Sequence, residues 1–358
     1  MRPTQVLIDL HALRHNLQQV RRAAPGRRVM AAIKANGYGH GLERVARTLG
    51  DSDSFGVASI EEALQLRQAG ITAPITLLEG FFHPDELPLI EQHGFELVLH
   101  HSQQIEQLLA APVTRPLRAW LKVDSGMHRL GLPPEQATTF WRRLVDHPKV
   151  QAVGQMTHLA TADEPDHPAT LRQLRVFAEA TVDLSGEKSI ANSAGILGWP
   201  DSHGDVVRPG IMLYGVSPFI GGRAVEHSLR PVMTFRSQLI AVNRVKKGET
   251  IGYGGSWRCP EDMPVGVVAA GYGDGYPRHA KNGTPVLVNG KRVPMTGRVS
   301  MDMLSVDLRS QPDAGIGDPV VLWGRGLPTE EVAEFAGTIA YELFCSITQR
   351  VPFQVEGA

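Results

Sequence analysis

Val29-Met30-Ala31-Ala32-Ile33-Lys34 opens a stretch that continues as Ala35-Asn36-Gly37-Tyr38-Gly39-His40-Gly41 and then places Leu42, Val45, Ala46 and Leu49 at i, i+3, i+4 and i+7. The apolar run reads as a buried strand, the glycine-rich segment as a turn, and the spaced apolar residues as one face of a helix. Seven more apolar runs follow, beginning near Phe55, Ile75, Phe95, Ala119, Val150, Ser189 and Val206. Between them lie helical patterns at 60–69, with Gly70 in the stop position, at 134–145 and at 171–182. Eight strand-helix units in roughly 200 residues are the size of a TIM barrel, an α/β (β/α)8 domain, which is the expected fold. A doubly wound open sheet is the competing arrangement, and no GxGxxG turn after the first strand favours it.

Beyond about Arg230 the texture changes. Residues 233–245, 265–272, 285–293 and 320–323 are rich in β-formers, and helical periodicity returns only at 329–335. Val286-Leu287-Val288-Asn289-Gly290-Lys291-Arg292-Val293 predicts a hairpin, since Asn-Gly readily takes the positive φ angles of a type I′ turn. The expected organisation is a barrel domain over 1–228 and a mostly β domain over 229–358, with the first strand, 1–10, a candidate to pack with the carboxy-terminal domain.

Composition narrows the class. The 358 residues carry a net charge of −1 with no long run of either sign, which argues against nucleic acid or a membrane surface as the partner. Two cysteines, Cys259 and Cys345, build neither a disulfide framework nor a metal cluster, so no metal is expected. No apolar stretch approaches the roughly 18 residues of a membrane span, and 1–10 lacks a signal-peptide core, so a cytoplasmic location is expected. The 37 glycines and 25 prolines punctuate many short elements.

Barrel enzymes carry their chemistry where the strands end. Here the first run ends in Lys34, Trp120-Leu121 leads into Lys122 and on to His128-Arg129, Met156-Thr157 leads to His158, Ala191 to Asn192-Ser193, and Val206-Val207 to Arg208-Pro209-Gly210-Ile211. Singly, such a lysine is a solvated cap, such a histidine a core residue, and Arg208-Pro209-Gly210 a simple turn. Together they gather cations on one rim, and uncompensated cations in a partly buried mouth call for a bound anion or for shifted pKa values. Ser193 after the seventh strand and Gly210 with Ile211 after the eighth lie where barrels hold a phosphate. A phosphate anchor there and a lysine on the first strand point to a phosphorylated carbonyl cofactor held as a Schiff base, a description pyridoxal phosphate meets.

The segment 32–41, Ala32-Ile33-Lys34-Ala35-Asn36-Gly37-Tyr38-Gly39-His40-Gly41, resembles the cofactor-lysine signature of the alanine racemases. Further matches follow in family order: 120–131, Asn192-Ser193-Ala194, Arg208-Pro209-Gly210-Ile211, Gly252-Tyr253-Gly254, 271–278, 297–302 and Tyr341-Glu342-Leu343, across essentially the whole chain. The resemblance implies a two-base interconversion of L- and D-alanine on pyridoxal 5'-phosphate, supplying D-alanine for cell-wall peptidoglycan or serving alanine catabolism. It implies that Lys34 binds the cofactor and is the base for D-alanine, and that Tyr253 is the base for L-alanine, contributed by the partner subunit of a homodimer. Tyr38, Ser193, Gly210, Ile211 and Tyr341 would cradle the phosphate, with Asn192 also on the cofactor. Arg208 would face the pyridine nitrogen, His158 would link Arg208 to Tyr253, and Arg129 would touch the phenolic oxygen and the substrate. Met301 and Tyr272 would line the substrate pocket, and Lys122 would be the lysine that many members carbamylate.

Rival readings remain on the same architecture. A decarboxylase of this cofactor benefits from an acidic partner for the pyridine nitrogen, where this chain has Arg208. A non-racemase barrel protein should lack the β domain and Tyr253. A broader-specificity amino-acid racemase is the remaining alternative.

Overall fold

The structure, a computed structural model, describes residues 2–357. The apolar runs become short parallel strands: β2 (Arg28–Ala32), β3 (Ser54–Val57), β4 (Ile75–Leu77), β5 (Glu96–Leu99), β6 (Leu117–Lys122), β7 (Val150–Met156), β8 (Lys188–Ser189) and β9 (Val206–Val207), preceded by β1 (Gln5–Asp9). The sheet runs β8-β7-β6-β5-β4-β3-β2-β9, every neighbouring pair parallel. The last seam, between β8 and β9, is sewn by single bonds: Asp205 N donates to Lys188 O at 2.8 Å, Arg208 N to Ala191 O at 2.9 Å, and Ser189 Oγ to Val206 O at 2.7 Å. The expected (β/α)8 barrel is thereby closed.

Met30, Val98, Trp120, Met156 and Val206 pack into one cluster inside it. Gly154 on β7 makes room for Trp120, whose ring would lie 2.5 Å from a Cβ placed there. At the amino-terminal ends of the strands the charges are balanced. Arg28 and Arg118 both pair with Glu187, Arg118 Nε lies 3.3 Å from Glu96 Oε1, and Glu96 also accepts from Trp120 Nε1 and Thr76 Oγ1 at 2.9 Å.

The chain forms two compact units, one of residues 14–213 with 218–220, the other of the chain up to Leu13, 214–217 and everything from Gly221 onward. The second unit is the β domain. Its strands are β10 (Met233–Val245), β11 (Thr250–Ile251), β12 (Trp257–Arg258), β13 (Met263–Val268), β14 (Pro285–Val288), β15 (Lys291–Thr296), β16 (Leu304–Asp307), β17 (Pro319–Trp323) and β18 (Phe353–Glu356). The long β10 pairs with β17 along its first half and β13 along its second, which closes β10-β13-β16-β15-β14-β17 on itself. Such closure leaves few free strand edges. β1 joins this sheet, antiparallel to β10 and parallel to β18. The β14-β15 hairpin turns at Asn289 and Gly290, with φ of 51° and 74°.

Candidate active site

Lys34 follows β2 at the carboxy-terminal mouth of the barrel. The backbone after it is left-handed for five consecutive residues, Ala35, Asn36, Gly37, Tyr38 and Gly39, with φ of 53°, 55°, 63°, 51° and 76°. Outside glycine each such residue costs roughly 1–2 kcal/mol, so the segment is held against its own preference. Asn36 Oδ1 accepts from Leu42 N at 2.9 Å, and a Cβ at Gly37 would meet Val45 Cγ2 at 2.9 Å. The turn carries Tyr38 to Gly210, where a Cβ would lie 2.5 Å from the Tyr38 hydroxyl.

The Gly210 backbone is tied to Ser193, whose buried Oγ accepts from Gly210 N at 2.9 Å and Met212 N at 3.3 Å. Ser193 opens the helix Ser193–Gly198, and Asn192 caps it through Oδ1 accepting from Gly195 N at 2.9 Å. Asn192 therefore orients Ser193. Tyr38, Ser193, Gly210 and Ile211 thus converge on one patch of hydroxyl and glycine backbone.

Arg208 is buried, and its hydrogen-bond partners are all neutral. Nη1 donates to Ser189 Oγ at 2.6 Å, and Nη2 to Thr157 O at 2.6 Å and Ile190 O at 3.2 Å, with His158 Nδ1 at 3.4 Å. Burial pulls its pKa down to about 10. Burial, then the charges of Arg208, Lys122, Arg129 and Lys34, holds His158 well below its ordinary range, so its ring is neutral. Lys122 is buried at the end of β6. Its pKa falls to about 8, first from burial, then from Arg208, Arg129 and Lys34, with Glu79 opposing. Among the described residues no carboxylate forms an ion pair with Lys122, Arg129 or Arg208, in contrast to the arginines at the opposite end of the barrel.

Two acidic residues that the sequence reading passed over organise this rim. Glu79 follows β4 and places Oε1 3.8 Å from Lys34 Nζ. Its carbonyl is pinned by His100 Nε2 at 3.1 Å and Gln104 Nε2 at 3.4 Å, and the next residue, Gly80, combines φ +73° with a Cβ position that Val98 O leaves no room for. Asp124 nests the loop that bears Arg129: Oδ1 accepts from the N–H groups of Gly126, Met127 and His128, each at 3.0 Å, and Oδ2 lies 3.0 Å from His128 Nδ1. Burial would raise the Asp124 pKa, but the His128 and Gly126 N–H groups and the His128 ring outweigh it and hold it low. Glu79 was within reach of the strand-end rule, since it closes the run Ile75-Thr76-Leu77-Leu78.

Tyr253, Tyr272, Met301 and Tyr341 belong to the β unit. Tyr253 sits in the turn between β11 and β12, 68 % exposed, flanked by Gly252 and Gly254 at φ 68° and 73°. Tyr272 and Met301 lie on two loops joined by backbone bonds, Tyr272 N to Ser300 O at 3.1 Å and Gly273 N to Met301 O at 2.8 Å. Met301 is 53 % exposed. Tyr341 lies on the helix Ala340–Cys345.

Two family models match the chain: "Alanine racemase, N-terminal domain" over residues 8–218 and "Alanine racemase, C-terminal domain" over 232–355. The alanine racemase of Vibrio cholerae is 51 % identical over all of this chain and 99 % of its own length, and that of Halorhodospira halophila 53 % over 98 % and 97 %. Among solved structures, the biosynthetic alanine racemase of Pseudomonas aeruginosa superposes with a TM-score of 0.98 at 46 % identity, each chain covered completely. The Acinetobacter baumannii alanine racemase gives 0.95 at 39 %, covering 99 % of this chain and all of the other. With both of its domains matched and its relatives aligned from end to end, the chain belongs to the alanine racemase family.

Proposed function

We propose that this chain interconverts L- and D-alanine on pyridoxal 5'-phosphate, using Lys34 and a second copy's Tyr253 as the two bases of a homodimer. The observation that carries the reading is the rim of unpaired cations around Lys34, opposite a barrel end where every arginine described above has its carboxylate. An anion bound at the mouth relieves that imbalance. The residues fit the cofactor: Gly210 leaves open the space that a Cβ would fill beside Tyr38, and the Ser193 hydroxyl and Gly210 backbone suit a phosphate. Asn192 serves this patch by orienting Ser193, and Ile211 and Tyr341 are assigned to it with Tyr38.

When bound, the cofactor supplies an electron sink that acidifies the amino acid's Cα–H. The protein moves the proton. Lys34 takes or returns it on one face of Cα, Tyr253 on the other, so inversion requires one base per face. Arg208, which offers donors only, would hold the pyridine nitrogen as a hydrogen-bond acceptor, and the weaker electron sink this gives would suit an enzyme that only exchanges protons. His158, neutral and beside Arg208, connects that arginine to Tyr253. Arg129 orients the cofactor oxygen and the substrate, while a second copy's Met301 and Tyr272 confine the alanine methyl.

Lys122 is assigned as a carbamate. Its lowered pKa leaves a minor fraction as neutral amine near physiological pH, and that amine adds to carbon dioxide, its proton leaving to solvent. The product anion pairs with Arg129. Cys259 and Cys345 are free thiols, which fits a cytoplasmic location; the D-alanine serves peptidoglycan synthesis or alanine breakdown.

L-alanine incubated with the enzyme in deuterated water should yield both enantiomers with deuterium at Cα. Cofactor-loaded protein that produces no D-alanine would refute the reading. Tyr253→Phe should cut proton abstraction from L-alanine by about 100-fold or more while cofactor loading at Lys34, read by absorbance, is unchanged.

A further inference from the structure

We infer that Asp274, Arg2 and Arg350 form a positioning cluster that sets substrate selectivity by fixing the spacing of Tyr272 and Met301. It rests on the assignment of those two side chains to the substrate pocket. The Asp274 carboxylate is 1 % exposed and takes four donors: Arg2 Nη1 at 2.8 Å and Arg350 Nε at 2.7 Å on Oδ1, Arg2 Nη2 at 2.7 Å and Gly271 N at 2.9 Å on Oδ2. Arg2 is thus bidentate, the geometry that restrains a pair most. The same guanidiniums reach the residue after Met301: Arg2 Nη2 donates to Asp302 O at 2.7 Å and Arg350 Nη2 to Asp302 Oδ1 at 2.6 Å.

Two loops distant in sequence are therefore clamped by one ionic group, Asp274 two residues after Tyr272 and Asp302 directly after Met301. Of the glycines between them, Gly271 leaves no room for a side chain and Gly273 leaves little. A Cβ at Gly271 would meet Met301 C at 2.6 Å, and one at Gly273 would meet Met301 O at 3.0 Å and Arg350 Cζ at 3.1 Å. The carboxylate is buried while both guanidiniums keep an edge in solvent, so Asp274 is anchored by converging donors without either arginine being fully desolvated. The clamped loops present Tyr272, Met301 and Met303 partly exposed on a rigid base. Such a base suits a wall that must reject a side chain one methylene too long.

The test measures kcat and KM for L-alanine and for L-2-aminobutyrate in the cofactor-loaded enzyme, with dimer content and unfolding midpoint followed alongside. Arg2→Ala should lower the preference for alanine, the ratio of the two kcat/KM values, by about threefold to tenfold, mainly through the alanine KM. Arg2→Lys, which keeps the charge but not the fork, should fall between. Arg350→Lys, which cannot hold Asp274 and Asp302 together, reads the same ratio if Arg2→Ala does not fold. Met301→Ala is the reference. Should Met301→Ala shift the preference while the arginine variants leave it unchanged, or lose activity on both substrates in equal proportion, the positioning role is overturned. Should Met301→Ala itself leave the preference unchanged, the pocket assignment fails and the inference falls with it.

Discussion

Lys122 shows how a single side chain can be costly to the fold and useful to the site. Its pKa drops from 10.5 to about 8, so the folded chain pays for the ammonium on the order of 3 kcal/mol. The folded state binds fewer protons than the unfolded one between those values, so this destabilisation is complete below about pH 8 and vanishes as pH rises through about 10.5. Lys122→Met, without cofactor and in bicarbonate-free buffer, should unfold at higher denaturant than the parent at pH 7, and the gap should close towards pH 10.5. Equal midpoints at both pH values would show that the ammonium is not strained. The identity of the rim cations was legible in the sequence, because strand ends can be located by the apolar runs before them. Their lack of counter-charge was not, because Glu79 and Glu187 find their arginine or lysine partners only after the barrel closes.

Among the elements, the β14-β15 hairpin and the barrel strands form where period and turn chemistry put them, since Asn-Gly and apolar runs act locally. The left-handed run from Ala35 to Gly39 is different in kind. Alanine and tyrosine do not favour positive φ, so nothing in their identity announces a conformation that surrounding contacts impose. Gly154 was equally silent, reading as an ordinary strand residue until Trp120 occupied the barrel interior. Gly154→Ala should destabilise the chain by about 1–3 kcal/mol in denaturant titration and alter Trp120 fluorescence. An unperturbed variant would mean that the ring has another place to go.

For the whole molecule, the proposed division of bases between copies makes a quantitative demand. Lys34→Ala and Tyr253→Phe homodimers should each be nearly inactive as racemases. Mixed at equal concentration and allowed to exchange, half of the dimers become mixed, each with one intact site, so about one quarter of parental activity should return. No recovery after confirmed exchange would put both bases on one copy. What the sequence determined by itself is what local patterning can carry: a barrel followed by a β domain, and the placing of Lys34, Lys122, Arg129, His158, Ser193 and Arg208 at or after strand ends, with Tyr253 entering only through the family resemblance. Tertiary structure alone decided which charges stand unpaired, where Glu79 and Asp124 act, and how Arg2 reaches Asp274 across the chain. Those outcomes depend on groups brought together from distant positions and on backbone strain that only the assembled fold can sustain.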